Sequence, residues 1–165
     1  MSTTQTALFA AGCFWGVQAY FDQVPGVVST TVGYTGGQVA YPTYEQVCFH
    51  TTGHAEAVKI VFDPEKVSYP LLLKHFFRMH DATQINRQGP DVGDNYRSAI
   101  FYLSDQQKQQ AQHIIAELTA DNKFSKPIAT EVSKASAFYP AEDYHQKYFE
   151  KTGVGACQVP YKSLA

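Results

Sequence analysis

The order in which strand-like and helix-like stretches follow one another constrains this chain more than any other feature of its sequence. "TALFAA" (6–11) is a short apolar run and predicts a buried strand. A helix is expected from about Cys13, because Phe14, Val17, Phe21 and Val24 recur at three- and four-residue steps before Pro25-Gly26 stops them. "VVSTTVGY" (27–34) is rich in β-branched residues and predicts a strand, followed by a loop over 35–53. "HAEAVKIVF" (54–62) predicts the next strand, closed by Asp63-Pro64. Ser68 and Pro70 fit the start of a helix that runs to about His80. "DATQINRQGPDVGDNYR" (81–97) predicts a long polar loop, of a length that tends to be functional. "SAIFYL" (98–103) is the fourth strand, and Ser104 with Gln107 makes a capping-box pattern for a helix to about Ala120. "IATEVSKA" (128–135) predicts a last strand and "AEDYHQKYFEK" (141–151) a short helix.

The order is therefore β-α-β-β-α-β with α-β-α added. Right-handed crossovers place the helices on one face of a mixed sheet. The expected class is α+β, a two-layer sandwich with a ferredoxin-like core. No repeat, low-complexity tract or linker interrupts the pattern, so residues 1–165 are expected to form a single catalytic domain, with 152–165 as a flexible tail. A net charge of −2 gives no electrostatic reason to bind nucleic acid or an anionic membrane. No apolar run approaches the ~20 residues of a membrane span. The N-terminus lacks the basic and apolar parts of a signal peptide, so a reducing, cytoplasmic setting is expected. In that setting Cys13, Cys48 and Cys157 are expected as thiols or catalytic groups, not structural disulfides. There is no C-x-x-C, and the six histidines show no ligand spacing, so neither a metal nor a cofactor is expected.

"GCFWG" (12–16) sets a thiol between large rings and bare backbone, where the first strand turns into the first helix. A helix N-terminus presents unpaired N–H groups and partial positive charge, which favour a thiolate. Gly12 and Gly16 would let another molecule approach closely. Position alone leaves two readings of equal weight, an activated thiol and a small buried hydrophobe. In 54–62 the period of two puts His54, Glu56, Val58, Ile60 and Phe62 on one face. Glu56 then shares a face with apolar residues, and desolvation favours its protonated form. It becomes a proton donor at neutral pH, unless it is a strand-end Glu that reaches water.

A nucleophilic thiolate, a neutral acid and an aromatic slot suit a substrate that needs attack by sulfur, protonation of an oxygen and shelter for a methyl group. Methionine sulfoxide is such a substrate. "GCFWG", "GYTGG" (33–37), "PTYEQVC" (42–48), "GHAEAV" (53–58), "RQGPDVGDNYRSAIF" (87–101) and "AEDYHQKY" (141–148), in this order along nearly the whole chain, resemble the A class of peptide methionine sulfoxide reductases. That resemblance implies reduction of the S epimer, in proteins and as the free amino acid.

By the same resemblance Cys13 is the nucleophile, Glu56 the acid that protonates the sulfoxide oxygen, and Tyr44 and Tyr96 hydrogen-bond partners of that oxygen. Phe14 and Trp15 are the walls around the methyl group, and Asp91 lines the site. The resulting sulfenic acid would be resolved by a C-terminal cysteine, and the disulfide reduced by thioredoxin. Cys157 is the candidate; the tail is shorter than in many relatives and carries one cysteine where they often have two. Cys48 reads as a small buried residue. Asp143, His145 and Gln146 read either as wall of the site or support of the tail, or as a solvated helix face. The expected enzyme is a monomer. Two other functions use the same residues: a thiol peroxidase acting through Cys13, and a non-enzymatic groove for Met-containing peptides.

Overall fold

The apolar run near the N-terminus becomes the middle of a sheet. The computed structural model describes residues 3–153 and 161–164. In chain order the elements are β1 (Gln5–Ala11), α1 (Phe14–Phe21), β2 (Val27–Thr35), α2 (Tyr44–Cys48), β3 (Ala55–Phe62) and α3 (Tyr69–Met79). The small strands β4 (Arg87–Gln88) and β5 (Asp91–Val92) and a 3-10 turn (Asp94–Tyr96) follow. Next come β6 (Ser98–Tyr102), α4 (Asp105–Ala120), β7 (Glu131–Lys134), β8 (Tyr139–Pro140), a second 3-10 turn (Asp143–His145) and α5 (Tyr148–Thr152). The main sheet has the order β7-β6-β1-β3-β2-β8. β1 is antiparallel to both β3 and β6, and β2 to β3, while β6 and β7 are parallel. The four strands β6-β1-β3-β2 thus form the ferredoxin-like core that the element order predicts, with a mixed edge at β7.

Ala7, Phe9 and Ala11 face a core shared with α1, α3 and α4, where Phe9 meets the rings of Phe21, Tyr69 and Phe76 at 5.7, 6.0 and 5.0 Å. Leu8 and Ala10 face the other way, into a smaller cluster with Ala55, Ala57, Ala99 and Phe101. Both faces of β1 are covered, so its sequence is continuously apolar where a half-exposed strand would alternate. On the second face the cover is a stretch of chain, with Ala135 and Phe138 packed against the cluster. Gly33 permits this approach, because a Cβ there would sit 2.5 Å from the Phe138 ring and from the Tyr139 carbonyl oxygen.

Three departures from the sequence reading matter for function. The loop expected over 35–53 contains α2, which opens on a capping box: Gln46 N–H donates to Thr43 Oγ1 and Thr43 N–H to Gln46 Oε1. The loop expected over 81–97 contains the β4–β5 hairpin and a 3-10 turn. The helix expected over 141–151 is broken in two. Lys147 adopts a left-handed conformation (φ 57°) between the 3-10 turn and α5, because its N–H is drawn to Gln18 Oε1 at 2.7 Å.

Candidate active site

Strand register brings the cysteine and the carboxylate together. Phe9 lies opposite Val58, and the same register continued places Ala11 opposite Glu56; on the other side Glu56 pairs with Tyr34. Two residues beyond Ala11, Cys13 occupies the N-cap position of α1. The chain turns there through Gly12, whose φ of 93° is comfortable for glycine alone. Gly16 is buried within α1, so it serves packing and not the access expected of it. Phe14 N–H, one of the first amides of α1, donates to Glu56 Oε1 at 3.2 Å. The carboxyl that faces the head of the helix is thus tied to the residue next to the sulfur.

Glu56 is 1 % exposed. Burial pushes its carboxyl up to about 8; the Phe14 amide opposes this, Asp91's charge adds to it, and Asn95 pulls back down. Because Oε1 accepts a hydrogen bond, the proton of the neutral acid belongs on Oε2, which has no partner among the described residues. The strand-end Glu reaching water is therefore the reading that the structure rejects.

Tyr44 begins α2, and Tyr96 ends the first 3-10 turn. Both hydroxyls are held above their ordinary value, by burial first and by the charge of Glu56 next, so they stay protonated and able to donate. The charges of Glu56, Cys48, Asp91 and Cys13 all act to raise the Tyr96 hydroxyl, so these groups lie within electrostatic reach of it. The structure thus assembles Cys13, Glu56, Tyr44, Tyr96 and Asp91, from four separate stretches of sequence, in one site.

The wall is aromatic. The buried Phe14 ring lies 5.7 Å from Tyr34, 5.2 Å from His145 and 6.4 Å from a nearly parallel Tyr44. Trp15 donates from Nε1 to His145 Nδ1 at 2.9 Å and stacks on Tyr148 at 3.8 Å. That bond fixes the tautomer: the His145 proton sits on Nε2. Glu142 accepts from the Tyr34 hydroxyl at 2.9 Å and the Tyr44 amide at 3.0 Å, joining β2 to α2. Glu142 and Tyr148 were not singled out by sequence reasoning, although both lie inside the quoted "AEDYHQKY". His145 is wholly buried in the wall, Gln146 bonds to β2, and Asp143 is solvent-exposed.

Cys48 corrects its expectation. It is half-buried beside Tyr44, near enough for each group to shift the other's proton affinity, at the border of the site and not inside the core. Cys157 lies outside the described residues. Among the described residues no group of three His, Cys, Asp or Glu side chains could hold a metal ion. No helix among them is long and apolar enough to cross a membrane.

The family model described as peptide methionine sulfoxide reductase matches residues 5–165. The chain belongs to that family. This reductase is 57% identical over 149 residues to the peptide methionine sulfoxide reductase MsrA of Methanosarcina mazei, covering 90% of this chain and 71% of the relative. It is 52% identical over 153 residues to MsrA of Geobacter metallireducens, covering 93% and 94%. Among solved structures, the reduced form of Mxr1 from Saccharomyces cerevisiae superposes on it with a TM-score of 0.87 at 32% identity, covering 96% of this chain and 93% of that one. Methionine sulfoxide reductase A of Corynebacterium diphtheriae gives 0.80 at 38% identity, covering 93% and 77%.

Proposed function

We propose that this reductase acts on the S epimer of methionine sulfoxide, protein-bound and free, with Cys13 as nucleophile and Glu56 as acid. One observation carries the reading: a buried carboxyl, which desolvation favours in its protonated form, is hydrogen-bonded to the amide that follows Cys13, with the Tyr96 hydroxyl in electrostatic reach of Glu56 and Cys13 alike. The helix N-terminus favours the Cys13 thiolate. The thiolate attacks the sulfoxide sulfur while Glu56 Oε2 gives its proton to the oxygen. The attack joins the Cys13 sulfur to the substrate sulfur, which now carries a hydroxyl; that S–S bond and the S–O bond then break as the hydroxyl passes to the Cys13 sulfur, so methionine leaves two electrons richer and Cys13 is left as a sulfenic acid. Tyr44 and Tyr96 donate to the oxygen as charge develops on it. Phe14 and Trp15 enclose the methyl group, and Asp91 lines the site and helps keep Glu56 protonated.

The cycle closes through Cys157. Its thiol attacks the sulfenic sulfur, a Cys13–Cys157 bond forms, and the hydroxyl leaves as water with the Cys157 proton. A thioredoxin dithiol then reduces the disulfide and is itself oxidised to one. Mxr1, the yeast protein whose reduced form resembles this chain, is also known in complex with Trx2. We assign the activity to a single-domain monomer in the cytoplasm, where thioredoxin is kept reduced.

The test mixes reduced protein with one equivalent of methionine sulfoxide and maps the product by mass spectrometry. A Cys13–Cys157 disulfide is expected, with one methionine released. Cys13→Ser should release none; methionine release by that variant at the wild-type rate refutes the nucleophile.

A further inference from the structure

The 3-10 turn that carries Tyr96 also buries an amide that no step above uses. Asn95 lies between Asp94 and Tyr96 and is wholly buried. Its Nδ2 and Oδ1 complete no hydrogen bond among the described residues. Buried polar groups in folded proteins are nearly always paired, so a side chain with both atoms unpaired calls for an explanation. Glu56 is within its reach. The carboxamide is near enough to lower the proton affinity of the Glu56 carboxyl, as a donated N–H does, although that bond is not completed in the resting acid. Glu56 Oε2 is likewise buried and unpartnered.

The turn is held firmly against the strand that bears Glu56. It packs on β3. Tyr96 N–H donates to the Gly93 carbonyl at 3.0 Å and Arg97 N–H to the Asp94 carbonyl at 3.3 Å. The Arg97 guanidinium clamps the turn from outside: Nη1 donates to the Asp94 carbonyl at 2.9 Å, and Nε to Glu131 of β7 at 3.1 Å. Gly93, at φ 142°, makes room for the carboxamide, because a Cβ there would sit 2.6 Å from Asn95 Oδ1 and closer still to the His50 ring. Oδ1 lies on the Gly93 side, which leaves Nδ2 as the atom that donates towards Glu56.

We propose that Asn95 is a positioning residue for proton delivery: its Nδ2–H closes a full hydrogen bond to the Glu56 carboxylate as Oε2 hands its proton to the sulfoxide oxygen. This rests on the reading of Glu56 as the acid. The proton passes to the oxygen, the negative charge stays on the carboxylate, and Asn95 keeps its own protons throughout. A hydrogen bond gained as charge appears stabilises the transition state more than the resting acid. A neutral amide suits the place. A cation there would ionise Glu56 at rest, and an apolar side chain would leave the new charge with the Phe14 amide alone. The other titratable groups around Glu56 are Tyr34 from β2, Tyr44 and Cys48 from α2, Asp91 from β5, Tyr96 beside Asn95, and Cys13 at the head of α1. The three tyrosines and Cys48 are pushed up by burial and stay protonated where Glu56 titrates.

The experiment uses the full reduced chain with Asn95→Leu, which keeps the volume and removes both polar atoms. Asn95→Ala is the second variant, should the branched side chain prevent folding. Release of the first methionine from a small, saturating sulfoxide substrate is followed between pH 6 and 10, beside Glu56→Gln. Asn95→Leu should slow release about ten-fold at pH 7, with the half-saturating substrate concentration within about two-fold of wild type. Its alkaline limb, near 8 in wild type, should move upward by about one pH unit, because the donor that favours the carboxylate is gone. Asn95→Ala should move the limb in the same direction. A limb that stays near 8 or moves down overturns the proposal even where the rate falls, since a part in packing alone slows release without moving it. A wild-type rate in both variants overturns it as well. If Glu56→Gln keeps the alkaline limb, the acid reading is what fails; if Glu56→Gln loses it and Asn95→Leu leaves it in place, only the role of Asn95 does.

Discussion

Glu56 and His145 both meet Phe14, one at its amide and the other at its ring, and are held there by different means. Glu56 belongs to β3, an inner strand with a backbone ladder on each side. His145 ends a 3-10 turn beside the sheet edge, and side chains hold its segment. Gln146 Oε1 accepts from Val32 N–H at 3.0 Å, and its Nε2 donates to the Val32 and Ala141 carbonyls at 2.9 and 3.1 Å. Lys147 bonds Gln18 through its amide, and Asp22 and Thr30 through Nζ. A ladder position cannot shift without breaking the sheet, whereas a side-chain bond contributes about 1 kcal/mol and can be lost singly. The acid and the sulfur thus have their separation set by the fold, and the wall that supports Trp15 is adjustable.

Breaking the ladder side of this comparison needs only the proton. Glu56→Gln keeps an oxygen for the Phe14 amide and removes the acid. Its kcat should fall by about 10²–10⁴-fold, with the variant still folded. Wild-type kcat should decline as pH rises past about 8, where Glu56 ionises, and that alkaline limb should be missing from the variant. Stability follows the same sign. The folded carboxyl sits above its ordinary value of 4.5, so the protonated form stabilises the fold; that contribution is complete below 4.5 and is lost as pH rises through about 8. Glu56→Gln should therefore outlast wild type in urea at pH 9 and lose the advantage at pH 5. An unchanged alkaline limb in the variant sinks the acid assignment.

The side-chain half should respond differently. Gln146→Ala removes three hydrogen bonds and strands the Val32 N–H, while the Val32 carbonyl keeps its bond from the Ala141 amide, at a cost of about 1–3 kcal/mol. With the 3-10 turn loosened, the support of Trp15 through His145 weakens. KM should rise several-fold while kcat stays within about two-fold, measured with a small sulfoxide substrate and checked by urea unfolding. A fall in kcat as deep as that of Glu56→Gln would erase the contrast between the two halves.

The same contrast decides what could be read from the sequence. The ladder half was legible because a period of two is a local signal: the spacing of Glu56 from Val58, Ile60 and Phe62 puts it on the core face without any knowledge of what lies opposite. The place of Cys13 at a strand-to-helix turn was legible too, although position alone left its role open between an activated thiol and a small buried residue. Tyr44 and Tyr96 sit on a short helix and a 3-10 turn in stretches without periodicity, so only the resemblance to a family picked them out. A local clue to Tyr44 existed in the Thr43–Gln46 capping pattern. The stretch 141–151 was read as one helix because nothing within it announces the break. What breaks it is long-range: Gln146 pairs with Val32 and the Lys147 amide with Gln18, more than a hundred residues away. Side chains that act across such distances leave no trace in local pattern.

Lys147 separates the two contributions that hold the adjustable wall, its ion pair and its backbone. Its Nζ lies 2.6 Å from Asp22, but both side chains are partly exposed, 37% and 27%, so water and salt screen the pair. Such a pair is worth about 0–1 kcal/mol. Its left-handed backbone costs any residue with a Cβ roughly 1–2 kcal/mol relative to glycine. Lys147→Ala loses the ion pair and keeps the strain; Lys147→Gly loses the ion pair and sheds the strain, against a larger entropy in the unfolded chain of about 0.5–1 kcal/mol. Both keep the amide that bonds Gln18. Lys147→Gly should therefore equal or exceed Lys147→Ala in urea stability by up to about 1 kcal/mol, with KM near wild type for both. If Lys147→Gly raises KM and Lys147→Ala does not, the wall depends on a stiff backbone at this position more than on the bond to Gln18.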